Sequence, residues 1–147
     1  MGDSLHGILH GLAVALVPIH LMYTLIGVFI GTMISHLPGI GPSAGIALLI
    51  PVTFGMDPTA ALMMLAGIYY GCMYGGAVTA ILINTPGDAA AVMTTLDGYP
   101  LARQGRAGAA LAIAAVSSFI AGTLGVTALT FVAVPLANLA LKFGPAE

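Results

Sequence analysis

The run Leu37-Pro38-Gly39-Ile40-Gly41-Pro42-Ser43-Ala44-Gly45 interrupts a nearly continuous apolar chain with three glycines and two prolines. Gly and Pro are the poorest helix formers, so no crossing helix gains from such a run. The whole chain is 59% hydrophobic and 5% charged, with a mean hydropathy of +1.08. Soluble domains carry about 25% charged residues, so this composition belongs to an all-α membrane protein with several transmembrane helices. In lipid, unpaired backbone is tolerated only where protein covers it or where it lines a wet cavity. A broken segment at membrane depth therefore marks a place where something polar sits, the usual pointer to a transporter's site.

Several function classes fall away on composition. Three Lys/Arg against five Asp/Glu give a net charge of −2, which offers no basic surface for nucleic acid. The single Cys72 forms no internal disulfide and reads as buried packing. Met1-Gly2-Asp3-Ser4 lacks the positive start of a signal peptide. His6 and His10 stand at a metal-ligand spacing, but no carboxylate or Cys joins them, so a wet helix face is expected and no metal. No Ser/His/Asp set or His-Glu zinc pattern points to an enzyme. Gly39-x-Gly41-x-x-x-Gly45 superficially resembles a dinucleotide loop, which has meaning only between a strand and a helix.

The apolar stretches order themselves between breaks. Residues 4–17 are short for a crossing and read as an interfacial or tilted helix. Residues 20–36 are the first crossing, with Gly27 and Gly31 at a spacing that lets another backbone come close. Residues 43–54, containing Pro51, suit a half-helix or re-entrant segment. Asp57 and Pro58 then fit the N-cap and first position of a helix over residues 59–84. At ~39 Å this helix exceeds a ~30 Å hydrocarbon core, so it is expected to tilt, bend or break, with Gly75-Gly76 as its weak point. Gly67, Gly71 and Gly75 form a close-packing stripe on it, and Tyr69, Tyr70 and Tyr74 read as packing or interface aromatics. A further helix is expected from Thr85 as N-cap, Pro86 at the first position and Asp88 at the third, running to about Leu96 and ending at Gly98. The polar loop 97–106 carries Arg103 and Arg106 and is expected in the cytoplasm. Residues 107–134 make the cleanest crossing, ended or kinked by Pro135. A helix end is also expected just before Phe143-Gly144-Pro145.

Short helices starting at Pro42/Ser43 and at Pro86 would each present free N–H groups and a positive dipole end, a ready anion site. Gly39 and Gly41 let backbone wrap an oxygen. The expected substrate-binding residues are therefore Gly39, Gly41, Pro42 and Ser43 on one turn and Asn84, Thr85, Pro86 and Gly87 on the other. Convergence of the two ends would hold a di- or tricarboxylate without Arg or Lys, and Thr79 would add a hydroxyl. Asp57 and Asp88 read as caps in preference to ion ligands. Freed carbonyls offer ligands to Na⁺. Sharp turns at the membrane surface explain the same residues equally well at this level.

The ordered motifs Leu37-Pro38-Gly39-Ile40-Gly41-Pro42, Leu65-Ala66-Gly67-Ile68-Tyr69-Tyr70-Gly71, Asn84-Thr85-Pro86-Gly87, Leu96-Asp97-Gly98-Tyr99-Pro100 and Arg103-Gln104-Gly105-Arg106-Ala107-Gly108-Ala109-Ala110 resemble one family from about Leu21 onward. That family is the large membrane subunit of the tripartite tricarboxylate transporters (TctA type). The resemblance implies a multi-pass permease of the bacterial inner membrane, with no cofactor beyond a coupling Na⁺ or H⁺. It also implies a small membrane subunit (TctB type), a periplasmic solute-binding protein (TctC type) and citrate-like carboxylates as cargo. Family members are several times longer, so residues 1–147 resemble the N-terminal part of a longer permease. Two local departures stand out, Ser35-His36 before the Leu-Pro-Gly turn and Ala77 where a Ser is usual. A titratable His36 there would introduce pH dependence, although a surface role is the plainer expectation. The competing expectation is a truncated, non-transporting membrane protein that packs on partner helices through its glycine stripe.

Overall fold

In a computed structural model, which describes residues 2–37 and 39–140, all regular secondary structure among the described residues is helical. Pro38 and the helix end expected before Phe143 lie outside them. The elements are α1 (Gly2–Ala15), α2 (Pro18–Ser35), α3 (Pro42–Leu49), α4 (Pro58–Ile83), α5 (Val92–Leu101) and α6 (Ala107–Ala140). Among the described residues, three helical stretches are long and apolar enough to cross a membrane: Pro18–Ser35, Pro58–Ile83 and Val92–Ala133. This is the expected all-α membrane fold with broken helices between spans.

The helix boundaries follow from local chemistry. Pro18, Pro42 and Pro58 each stand at the start of a helix, where a missing N–H costs nothing and a fixed φ helps. Asp57 accepts from the N–H groups of Thr59 (3.0 Å) and Ala60 (3.3 Å), the cap its position predicts. Between α2 and α3 the chain turns through Gly39, whose φ of +87° is disfavoured for side-chain-bearing residues. The eight residues of α3 pass into a single 3₁₀ turn, Ile50–Thr53, matching the expected half-helix. At the far end of α4, Asn84 takes the left-handed conformation (φ 55°). Its N–H and that of Thr85 both donate to the Thr79 carbonyl, closing the helix as a glycine would.

The dominant packing is α2 on α4, and the glycine stripes explain it. A methyl group on Gly67, Gly71 or Gly75 would strike the α2 backbone at Thr24, Val28 and Thr32. Conversely, one on Gly27 or Gly31 would strike α4 at Met64 and Ile68. The two helices thus meet backbone to backbone, where dispersion from many close atom pairs replaces the hydrophobic drive that lipid does not supply. Met64, Ile68 and Cys72 form the buried core, with Ile46 and Leu49 of α3 packed on it. Two polar bonds pin the same interface: Ser35 Oγ–H donates to the Cys72 carbonyl (2.6 Å) and Cys72 Sγ–H to the Gly31 carbonyl (3.2 Å).

Four expectations are corrected. Of the tilt, bend or break expected of α4, the break at Gly75-Gly76 is absent: the helix is continuous from Pro58 to Ile83, and these glycines serve close approach to α2 and the following loop. The next helix starts at Val92, not Pro86. Gly87 is buried, and its N–H goes to the Gly76 carbonyl (3.4 Å), which holds the chain along α4 instead of in a first turn. That helix does not end at Gly98, which is buried against Ile81. It continues to Leu101 and through a π turn, Ala102–Arg106, where Gly105 (φ 78°) makes the kink before α6. Finally, α6 continues past position 135 to Ala140. Contacts divide the chain after Leu111. The second unit holds the remainder of α6, whose Phe119, Leu124 and Phe131 are all exposed, as expected of an apolar helix surface in lipid or against further protein.

Candidate functional site

The α2–α3 break and the α4–α5 break border one open cleft of about 520 Å³, within the size range of small-molecule sites. Gly39, Gly41, Pro42 and Ser43 line it from one side, and Pro86, Gly87, Asp88, Ala89 and Val92 from the other. Gly41 is extended (φ −72°, ψ 176°) and leads into α3 with no side-chain cap, so the first N–H groups of that helix lack a side-chain acceptor from the capping position. Val92 brings the start of α5 to the same cleft. Two helix N-termini therefore border it, the second from Val92 and not from Pro86. A partial positive charge from each is the only cationic feature of the lining, which contains no Arg or Lys among the described residues.

Six of the eight residues expected from sequence line the cleft: Gly39, Gly41, Pro42, Ser43, Pro86 and Gly87. Asn84 and Thr85 do not. Their backbone N–H groups close α4, and the Thr85 hydroxyl donates to the Ile83 carbonyl (3.2 Å). Thr79 is buried with its hydroxyl on the Gly76 carbonyl (3.1 Å). His36 lies exposed at the end of α2, its Nδ1 against the Thr32 carbonyl, and is not part of the lining.

Asp88 is the residue that sequence reasoning undervalued. One carboxylate oxygen, Oδ1, accepts from the Ala91 N–H (2.8 Å), so the capping role is real, though it precedes α5 instead of sitting inside it. The other, Oδ2, is buried and has no hydrogen-bond partner. It lies 3.3 Å from where a Cβ on Gly76 would stand, and Ser35 Oγ lies 3.4 Å from the same point. Ser35 was likewise missed as a structural residue. It is fully buried, and its carbonyl and hydroxyl sit 3.0 and 3.2 Å from the Cβ position of Gly87. The spacing Asp88 to Ala91 was readable as a cap. The second oxygen's surroundings come from α2, far away in sequence.

The profile of the tripartite tricarboxylate transporter TctA family matches residues 21–147. An uncharacterized 52.8 kDa protein in the TAR-I ttuC' 3' region of Agrobacterium vitis is 50% identical over 147 residues. That alignment covers all of this chain and 29% of the relative, so the chain spans less than a third of the relative's length. No solved structure matches the chain.

Proposed function

The chain belongs to the tripartite tricarboxylate transporter TctA family, which makes it a membrane transporter component and not an enzyme. On that premise we propose that residues 1–147 are the N-terminal part of a permease carrying citrate-like di- or tricarboxylates across the bacterial inner membrane. Uptake would be secondary active, driven by a Na⁺ or H⁺ gradient. A TctC-type periplasmic protein would deliver the cargo and a TctB-type small subunit would accompany the permease. What supports this reading is the cleft itself. Two broken segments meet there, two helix N-termini border it, and glycine backbone forms much of one wall. Helix ends and bare N–H groups bind carboxylate oxygens without any basic side chain, and Ser43 adds a hydroxyl donor.

The decisive variant is Gly41→Val in the full-length permease. Gly41 has an extended conformation that Val accepts, and an added Cβ meets only Asp88 Cβ at 3.7 Å. The substitution therefore fills the cleft without disturbing the helices. Uptake of radiolabelled citrate into proteoliposomes supplied with the binding protein is expected to fall to background, while Gly11→Ala on α1, whose Cβ meets nothing within 4 Å, transports as the parent does. Undiminished uptake by Gly41→Val would remove the cleft as the substrate site.

The competing reading, a truncated non-transporting protein that packs on partner helices through its glycine stripe, has no free stripe to use. Gly67, Gly71 and Gly75 are already covered by α2.

A further inference from the structure

α2 and α4 run parallel: Gly67 faces Thr24, Gly71 faces Val28 and Gly75 faces Thr32. Each is long and apolar enough to cross a membrane, so α2 ends on the side opposite to that where α4 begins. Ser35 stands level with Gly75, which lies about 26 Å along α4 from Pro58 at the standard helical rise. The chain between the two helices makes up that distance, close to the ~30 Å depth of a hydrocarbon core. Along the way Gly45 lies against Cys72, and Ile46, Leu49 and Met56 pack on the core of Met64, Ile68 and Cys72. α3 is therefore the first half of a further crossing that runs back beside α4, broken where it passes into the 3₁₀ turn at Pro51.

This crossing is held differently from its neighbours. α2 and α4 meet backbone to backbone and are joined by the Ser35 and Cys72 hydrogen bonds. Among the described residues, the hydrogen bonds of residues 39–56 are all local, from the Ile40 N–H on the Leu37 carbonyl to the Met56 N–H on the Thr53 carbonyl. None reaches α2 or α4. Apolar contacts alone hold the segment, so it can shift without leaving a backbone group unpaired in lipid. At its two ends stand Gly39 (φ +87°) and Gly55 (φ +86°), both exposed and with nothing within 4 Å of a Cβ position. Such glycines are free to absorb the φ/ψ change of a hinge. The two walls of the cleft belong to different bodies. Gly41, Pro42 and Ser43 ride on the start of this segment, whereas Gly87 is tied to α4 by its N–H on the Gly76 carbonyl.

We propose that residues 39–55 are a hinged arm that swings against the fixed α2–α4 pair and so opens and closes the cleft. Gly39 and Gly55 are its hinges, and the contact of Gly45 with Cys72 is the joint that parts. The motion stands on the packing alone, and its role in carrying substrate rests on the function proposed above.

Spin-label distances in the full-length permease in nanodiscs, with Cys72→Ala and no other cysteine, read the arm directly. Labels at Leu25→Cys and Leu62→Cys, exposed on α2 and α4, are expected to give one narrow distance. Labels at Leu48→Cys, exposed on α3, and Leu62→Cys are expected to give two. A second measurement keeps Cys72 as the only native cysteine and adds Gly45→Cys, whose Cβ stands 2.7 Å from the Cys72 Sγ, within disulfide reach. Oxidation is expected to abolish citrate uptake into proteoliposomes and a reductant to restore it, while Gly45→Cys combined with Cys72→Ala responds to neither. One narrow distance between positions 48 and 62, with and without citrate, overturns the inference, as does a fully crosslinked protein that carries citrate like its reduced form. Two distances in a protein whose reduced form carries no citrate would instead keep the hinged arm and overturn the carboxylate reading.

Discussion

Two aspartates illustrate how a single residue acts differently according to what surrounds its second oxygen. Asp57 sits on the exposed start of α4, and its Oδ2 takes both cap bonds. Replacing it with Ala is expected to destabilise the folded chain by about 1 kcal/mol, the usual cost of a lost cap, and Asp57→Asn by much less. Thermal unfolding in detergent reads the difference, and equal melting temperatures for the two variants would show that the cap contributes nothing. Asp88 has the same local motif, yet only Oδ1 is used by it. Sequence spacing revealed the cap in both cases. It did not reveal that α2 brings Ser35 against the loop beside Asp88, because that contact spans more than fifty positions in the chain.

At the scale of elements, the α2–α4 pair is built on bare backbone. A Cβ at Gly31 or Gly71 would overlap carbonyl groups of the facing helix, and a backbone atom inside a packed helix cannot step aside as a side-chain tip can. Gly31→Ala and Gly71→Ala are each expected to cost at least the about 1–3 kcal/mol typical of overpacking. Gly11→Ala, by contrast, meets open space on α1 and should stabilise by about 0.5–1 kcal/mol through helix propensity. Melting temperatures of the three variants in the same detergent test this, and a Gly71→Ala protein as stable as its parent would mean the helices do not meet as described. The stripe was legible in the sequence because its period is that of a helix. Its partner was not, since Gly27 and Gly31 on α2 offered one of several surfaces that it could face.

For the whole molecule the open question is orientation across the membrane. Arg103 and Arg106 are exposed on the π turn between α5 and α6, and basic residues near span ends favour the cytoplasmic side. A reporter cysteine, Gln104→Cys, in an otherwise cysteine-free full-length chain is expected to react with an impermeant maleimide only in inside-out vesicles. Labelling in intact spheroplasts would invert the assignment and with it the side from which the cleft is approached. The relative's length bears on the same scale. This chain covers 29% of it, so transport is to be assayed on a full-length permease.

What the sequence determined by itself is whatever local chemistry or composition controls. Low charge and long apolar runs set the membrane class. Asp57-Pro58 set the start of α4, Gly39 through Pro42 set the break and the half-helix, and helical periodicity set the glycine stripe. The tertiary structure decided matters that depend on groups distant in the chain. Gly87 is held against Gly76 and Ser35, so α5 waits until Val92 and Pro86 lines a cleft instead of starting a helix. Asn84 and Thr85 are drawn into closing α4, and one oxygen of Asp88 is left buried without a partner. A capping motif specifies which backbone N–H it can satisfy within the next turn. What fills the remaining coordination of its carboxylate is fixed only when α2 and α4 have packed.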